Sequence, residues 1–262
     1  ERLEKELKQL RHEYFNAKTR KEKLQCQKQD KKLRQDIAGL LVKDGWNDTT
    51  AQQIVKFEPY DQNASADFFD PEWMFGITEG FDVVLGNPPY VRVQSLSEEE
   101  KKYYSKNYLS ATGNFDLYVI FTERGFTLTS NKGILSFIQP NKFFVSNYGL
   151  GLRKFVCQNH SLQKIIDFRA NQVFETATTY TCIIFLTKQS IPKVNYFGFR
   201  QNITFHDVVE FLRSPEKQFD LIESNSLSPT PWIFSNKKSS AILQKIELKG
   251  IPLGEVAINI SQ

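Results

Sequence analysis

The stretch FDVVLGNPPYVRVQ, residues 81–94, decides the fold. Val83, Val84 and Leu85 form an unbroken aliphatic run, the pattern of a strand buried in a parallel sheet. Gly86 and Asn87 then lead into two prolines and a tyrosine. Pro88 and Pro89 fix their own φ, and each pushes the residue before it towards extended geometry. The turn is therefore stiff. A stiff loop at the carboxyl end of a parallel strand is where open α/β sheets bind ligands. This one is built to hold backbone carbonyls, the Asn87 amide and the Tyr90 ring still, facing a small planar object.

Downstream, strands and helices alternate. SEEEKKYY begins a helix with Ser97 as N-cap and Glu100 at the capping-box position. GNFDLYVIFTERGFTL reads as a helix capped near Asn114, with Leu117, Phe121 and Leu128 among its core candidates. Then come strand ILSFIQ, a Pro-Asn loop, helix YGLGLRKFVCQN, strand LQKIIDF, a loop at 169–178 and strand YTCIIFLTK. This order with short connections predicts a doubly wound α/β sheet. PKVNYFGFRQNITF reads as a further strand region, and 206–214 and 235–248 as helices.

Upstream the character differs. Residues 1–38 hold 12 Lys/Arg and 7 Asp/Glu, a balance of +5, whereas the whole chain carries +4, leaving −1 for the rest. Leu3, Leu7, Leu10 and Tyr14 form a helical stripe, which turns polar at Lys21 and Lys28 and resumes at Leu33, Ile37, Leu40 and Leu41. The pattern predicts two helices, or one with a weak middle, ending between Gly39 and Gly45. Its lysines suit a solvated face packed by one edge on a larger body, with contact to DNA as the alternative.

At 262 residues and 40% hydrophobic content the chain can build a real core. No run of about 18 uncharged apolar residues is present, so no membrane span is expected. The charged opening ERLEKELKQL does not read as a signal peptide. Cys26, Cys157 and Cys182 are few, odd in number and far apart, as expected of reduced thiols in a cytoplasmic protein. His12, His160 and His206 have no second histidine at ligand spacing. The phosphate-cradling patterns GxGxxG and GxxxxGK[ST] are missing. The chemistry therefore rests on residues 87–90. The Asn87 amide oxygen and the Pro88 carbonyl are acceptors that need no proton removed. Together they suit an –NH2 group on a ring, whose nitrogen lone pair they would localise, making it a nucleophile. Tyr90 offers a stacking face, worth about 1–3 kcal/mol per base. This is catalysis by position and electrostatics.

NPPY after an apolar strand resembles motif IV of amino-methyltransferases that use S-adenosylmethionine. FDVVLGNPPYVR, GNFDLYVIFTERGFTL, KGILSFIQPNKFFVSNYGLGLRKFV and FRANQVFETATTYTCIIFLTK follow in the order of γ-class DNA adenine-N6 methyltransferases, and look most similar to the Eco57I-type methylase-endonucleases. The likeness covers roughly 60–200, with a fainter trace at GIPLGEVAINIS. It implies that Asn87, Pro88 and Pro89 with Tyr90 form the catalytic loop. Tyr90 and Phe174 would enclose a flipped adenine of double-stranded DNA, and Asp67 and Phe121 would face S-adenosylmethionine. Asp70, three residues on, is an alternative to Asp67.

The implied architecture is the C-terminal part of a Rossmann-like class I methyltransferase sheet (46–205), preceded by a basic helical arm (1–45). A linker and the start of a target recognition domain (206–262) would follow. The Gly-rich cofactor motif of that family is absent, so the first half of the sheet and the remainder of a larger restriction-modification polypeptide are expected outside these residues. A protein glutamine methyltransferase, which shares NPPY, and a non-catalytic DNA-binding scaffold are the alternatives.

Overall fold

A computed structural model describes residues 2–61, 63–174, 179–213, 219–234, 245, 246 and 248–251. The chain divides into two compact units, Glu1–Gly80 and Phe81–Gln262. Residues 46–80, expected with the catalytic region, thus pack with the arm.

In the first unit the long stripe is two helices, α1 (Arg2–Asn16) and α2 (Arg20–Lys43). The break falls at Thr19, whose side chain accepts from the Glu22 N–H while the Glu22 carboxylate accepts from the Thr19 N–H. This capping box starts α2 afresh. Two short helices follow, α3 (Asp48–Lys56) and α4 (Pro71–Phe75), and Leu7, Leu10, Ile37, Ala51, Phe57 and Met74 bury the seam. A charged centre lies in it. Asp30 is fully buried and accepts from Arg11 Nε at 3.0 Å and Arg34 Nε at 2.7 Å. The same guanidiniums cap the ends of the short helices, Arg34 donating to the carbonyls of Val55 and Phe57 and Arg11 to those of Trp73 and Met74. Carbonyls left unpaired at α3 and α4 are satisfied this way.

The second unit is a six-stranded sheet in the order β1-β2-β4-β3-β5-β6. The strands are β1 (Phe81–Gly86), β2 (Thr129–Pro140), β3 (Leu162–Asp167), β4 (Thr181–Thr187), β5 (Lys193–Gly198) and β6 (Asp220–Glu223). Helices α5 (Glu98–Asn107) and α6 (Leu117–Leu128) join β1 to β2, and α7 (Leu150–Gln158) joins β2 to β3. β1, β2, β3 and β5 run parallel, so their carboxyl ends share one edge. β4 departs from a simple doubly wound reading: it inserts antiparallel between β2 and β3. The reason is the connection. Residues 168–180 include no helix among those described, and a parallel return normally needs a crossover helix.

Two other expectations change. β1 is an edge strand among the described residues, paired with β2 alone, and Val83 and Leu85 are 54% and 73% exposed rather than buried. α6 starts at Leu117 with Asp116 as N-cap, not near Asn114, because Phe115 is used in pairing with the chain beyond Tyr90. The Ser97–Glu100 capping box of α5 is present as expected. α8 (Phe205–Arg213) also matches its expected position. β6 extends the sheet past 205, and Trp232 is buried in the core against Phe143 and Phe144. Most of the helix expected at 235–248, and GIPLGEVAINIS beyond Ile251, lie outside the described residues. No described helix is long and apolar enough to cross a membrane. The three cysteines are free thiols, and the three histidines are exposed.

Candidate functional site at the carboxyl edge of the sheet

β1 delivers its loop against β2 with little clearance. A Cβ on Gly86 would come 2.9 Å from Cε1 of Phe137, and one on Gly125 of α6 would come 3.0 Å from Cζ of the same ring. The two glycines let strand and helix close on Phe137, which fixes where the loop emerges.

Asn87 is exposed, and its amide makes no hydrogen bond among the described residues. Pro88 is buried, while Pro89 and Tyr90 are half-buried. The Tyr90 hydroxyl donates to the Ile138 carbonyl at 3.2 Å. Burial, with a smaller contribution from Cys182, pushes this phenol up to about 12. It therefore stays protonated and keeps its donor at neutral pH. Immediately beyond, Leu117 N–H donates to the Val91 carbonyl at 2.8 Å and Val93 N–H to the Phe115 carbonyl at 3.0 Å. The loop is thereby bolted to the start of α6. Asp116, opposite Arg92 in that bridge, has its pKa raised by desolvation, with Arg92 and Lys142 pulling the other way.

On α6, Val119 and Ile120 are buried but Phe121 is 46% exposed. It is not a core residue. Its neighbour Thr122 faces inward instead, its hydroxyl 2.8 Å from both the Tyr118 carbonyl and Gln139 Oε1. Phe174 is half-buried in the loop after β3, where its carbonyl accepts from Gln172 Nε2 at 2.9 Å.

Asn87, Pro88, Pro89, Tyr90 and Phe174 thus lie on loops leaving one edge of one sheet, and Phe121 on the helix bolted to the first of them. Asp67 belongs to the first unit, so the candidates divide between the two units. Asp67 is exposed, whereas Asp70 is engaged as the N-cap of α4, accepting from Trp73 N–H at 2.9 Å.

Sequence reasoning missed the brace beneath the loop after β2. Buried Arg153 of α7 donates to the carbonyls of Phe143 at 2.5 Å, Ser146 at 2.8 Å and Pro229 at 2.8 Å. Trp232 N–H donates to the Phe144 carbonyl at 2.7 Å, and its indole packs on Phe143 with centroids 5.8 Å apart. A tryptophan between prolines and aromatics in TPWIF was the available signal. An exposed amide beside a fixed, half-buried ring can accept hydrogen bonds from an amino group while the ring stacks on the system that bears it.

The model of the family described as Eco57I restriction-modification methylase matches residues 3–174, so the likeness includes the helical unit as well as the sheet. The type II restriction enzyme and methyltransferase RM.Eco57I of Escherichia coli is 33% identical over 184 residues, 67% of this chain and 17% of that protein. Type II methyltransferase M.BstVI of Geobacillus stearothermophilus is 30% identical over 190 residues, 67% of this chain and 34% of that protein. The chain therefore spans between about a sixth and a third of these relatives' lengths. Among solved structures, the DrdV–DNA complex covers 60% of this chain and 18% of its own, with TM-score 0.46 at 18% identity.

Proposed function

The chain belongs to the Eco57I restriction-modification methylase family, and from that premise we propose that it carries the amino-methylating site of an S-adenosylmethionine-dependent DNA methyltransferase acting on adenine N6. The observation that carries the reading is the 87–90 loop: an exposed, unengaged amide beside a tyrosine whose ring is held by its own hydroxyl.

Asn87 Oδ1 and the Pro88 carbonyl would accept the two N–H bonds of the adenine amino group, which holds its nitrogen in line and localises the lone pair. No general base is needed before attack. Tyr90 and Phe174 would hold the base after it has left the stack, a step costing a few kcal/mol. S-adenosylmethionine, when bound, supplies an electrophilic methyl on its sulfonium. Phe121 fits a cofactor-facing residue, since it is the exposed aromatic of an otherwise buried helical stretch. Of the two acidic candidates, Asp70 is engaged as the helix cap of α4 and Asp67 is exposed, and a cofactor role for Asp67 rests on the family resemblance alone.

A catalytic region ending near 205, with the start of a target recognition domain after it, is part of the same proposal; on the amino-terminal side the compact units divide at Gly80 rather than at 45. So is an endonuclease elsewhere in the full-length protein, on the strength of the relative named as both restriction enzyme and methyltransferase. The test is incubation of the full-length protein with duplex DNA and S-adenosylmethionine, followed by mass analysis of the nucleosides. N6-methyladenine is expected. A methylated protein glutamine, or methylated cytosine, would overturn the assignment of the substrate.

A further inference from the structure

The loop that carries Phe174 is held by a buried polar hub with no assigned part in the reaction. Asp167 ends β3, is buried, and accepts three hydrogen bonds: from Asn141 Nδ2 at 2.9 Å, from the Arg169 N–H at 2.8 Å and from the Tyr196 hydroxyl at 3.1 Å. Asn141 is the first residue after β2. Besides Asp167, its amide nitrogen reaches the Arg169 carbonyl at 3.2 Å, and its own N–H donates to the Tyr180 carbonyl at 3.0 Å. Asn141 therefore ties the exit of β2 to both sides of the loop that leaves β3, its side chain holding the near side at Asp167 and Arg169 and its backbone N–H the far side at Tyr180. Arg169 sits at φ 51°, a left-handed conformation unfavourable for a residue with a Cβ, so this turn needs support from its surroundings. Asn171 continues the path. It is buried, donating to the carbonyls of Phe168 at 2.7 Å and Arg200 at 2.6 Å and accepting from the Ile203 N–H at 3.2 Å. Phe174 is three residues further on.

We propose that Asn141 is a positioning residue: acting through Asp167, it sets the backbone turn at 168–171 and so the place of the Phe174 ring against the substrate base. The inference rests on the proposed role of Phe174. It adds that the loops after β2 and β3 act as one element. The neutral amide is the suitable group there, because it supplies donors to a buried carboxylate without adding a second negative charge.

The test uses the full-length protein with Asn141→Asp, which keeps the shape and removes both donors, together with Asn141→Ala, Phe174→Ala and the doubles. Hydrogen exchange supplies a readout independent of activity. The amides of Arg169 and Asn171 are expected to exchange at least tenfold faster in Asn141→Asp, with β1 and α6 unchanged. In methylation assays at saturating DNA, Asn141→Ala is expected to lose about tenfold in rate, the equivalent of one hydrogen bond to a charged group. Its affinity for DNA should stay within twofold. The double with Phe174→Ala should be no more than about twofold slower than the slower single variant. Multiplying losses, or unchanged exchange at Arg169 and Asn171, would overturn the inference. Loosened amides with methylation unaffected by either Asn141→Ala or Phe174→Ala would leave the hub intact as structure and remove the role given to Phe174.

Discussion

Replacement of Tyr90 separates the two things its side chain does. Tyr90→Phe removes one neutral hydrogen bond, that to the Ile138 carbonyl at 3.2 Å, and keeps the ring. Such a bond is worth about 1 kcal/mol, or roughly fivefold, and at this length and half-exposure the lower part of that range applies. Tyr90→Ala also removes the stacking face, worth about 1–3 kcal/mol, a further factor of about five to 150. The expected order is therefore wild type, then Phe within about fivefold, then Ala at least fivefold below Phe. Single-turnover methylation measures the rate, and a duplex with 2-aminopurine at the target position reports whether the base leaves the stack. Equal damage from the two substitutions would refute stacking as the main role. The pH behaviour follows from the same contact. With the phenol raised to about 12, the folded state favours the protonated form; the stabilisation is full below about pH 10 and is lost as pH rises from 10 to 12. Tyr90→Phe should flatten that part of a stability-against-pH curve.

Asn87→Ala is expected to reduce methylation by more than tenfold, a loss above about 1.4 kcal/mol, with DNA affinity nearly intact because phosphate contacts dominate binding; a filter-binding titration beside the rate assay checks both. Asp30→Ala leaves two buried guanidiniums without their carboxylate and should destabilise the helical unit by about 3–5 kcal/mol, read as a shifted denaturant midpoint. Gly125→Ala would place a Cβ 2.4 Å from Leu135 Cδ1, and overpacking of this kind costs about 1–3 kcal/mol; a melting temperature equal to that of wild type would show that Leu135 and Phe137 give way freely.

The elements that could be read from the sequence were those whose signal is local. The Ser97–Glu100 box, the aliphatic strand at 81–86 and the prolines after it each act over a few residues, and each stands where expected. What could not be read depends on distant partners. Asp30 between Arg11 and Arg34 looks like an ordinary member of a charged helix until α1 and α2 are laid together. β4 has the composition of any buried strand, and nothing in YTCIIFLT states its direction or that it lies between two earlier strands. At the site, Asn87 and Tyr90 announced themselves through the rigid loop. Asn141 and Arg153 did not, since their work is to satisfy carbonyls and a carboxylate contributed by other segments.

The position of β4 has a consequence for how the sheet can form. β4 is the only described strand that bonds to β2 and the only one besides β5 that bonds to β3, apart from the pairing of β2 with β1. Yet it is made after both. While the chain grows from the ribosome, β1 can pair with β2, but β2 and β3 emerge with their facing edges open and are joined only once β4, ending at Thr187, is available. Long-range pairing of this kind is paid for in loop entropy before it is rewarded, so it slows folding. Protection of the facing edges of β2 and β3 should accordingly appear in one kinetic phase of refolding, set by the docking of β4, which follows both in the chain and lies between them.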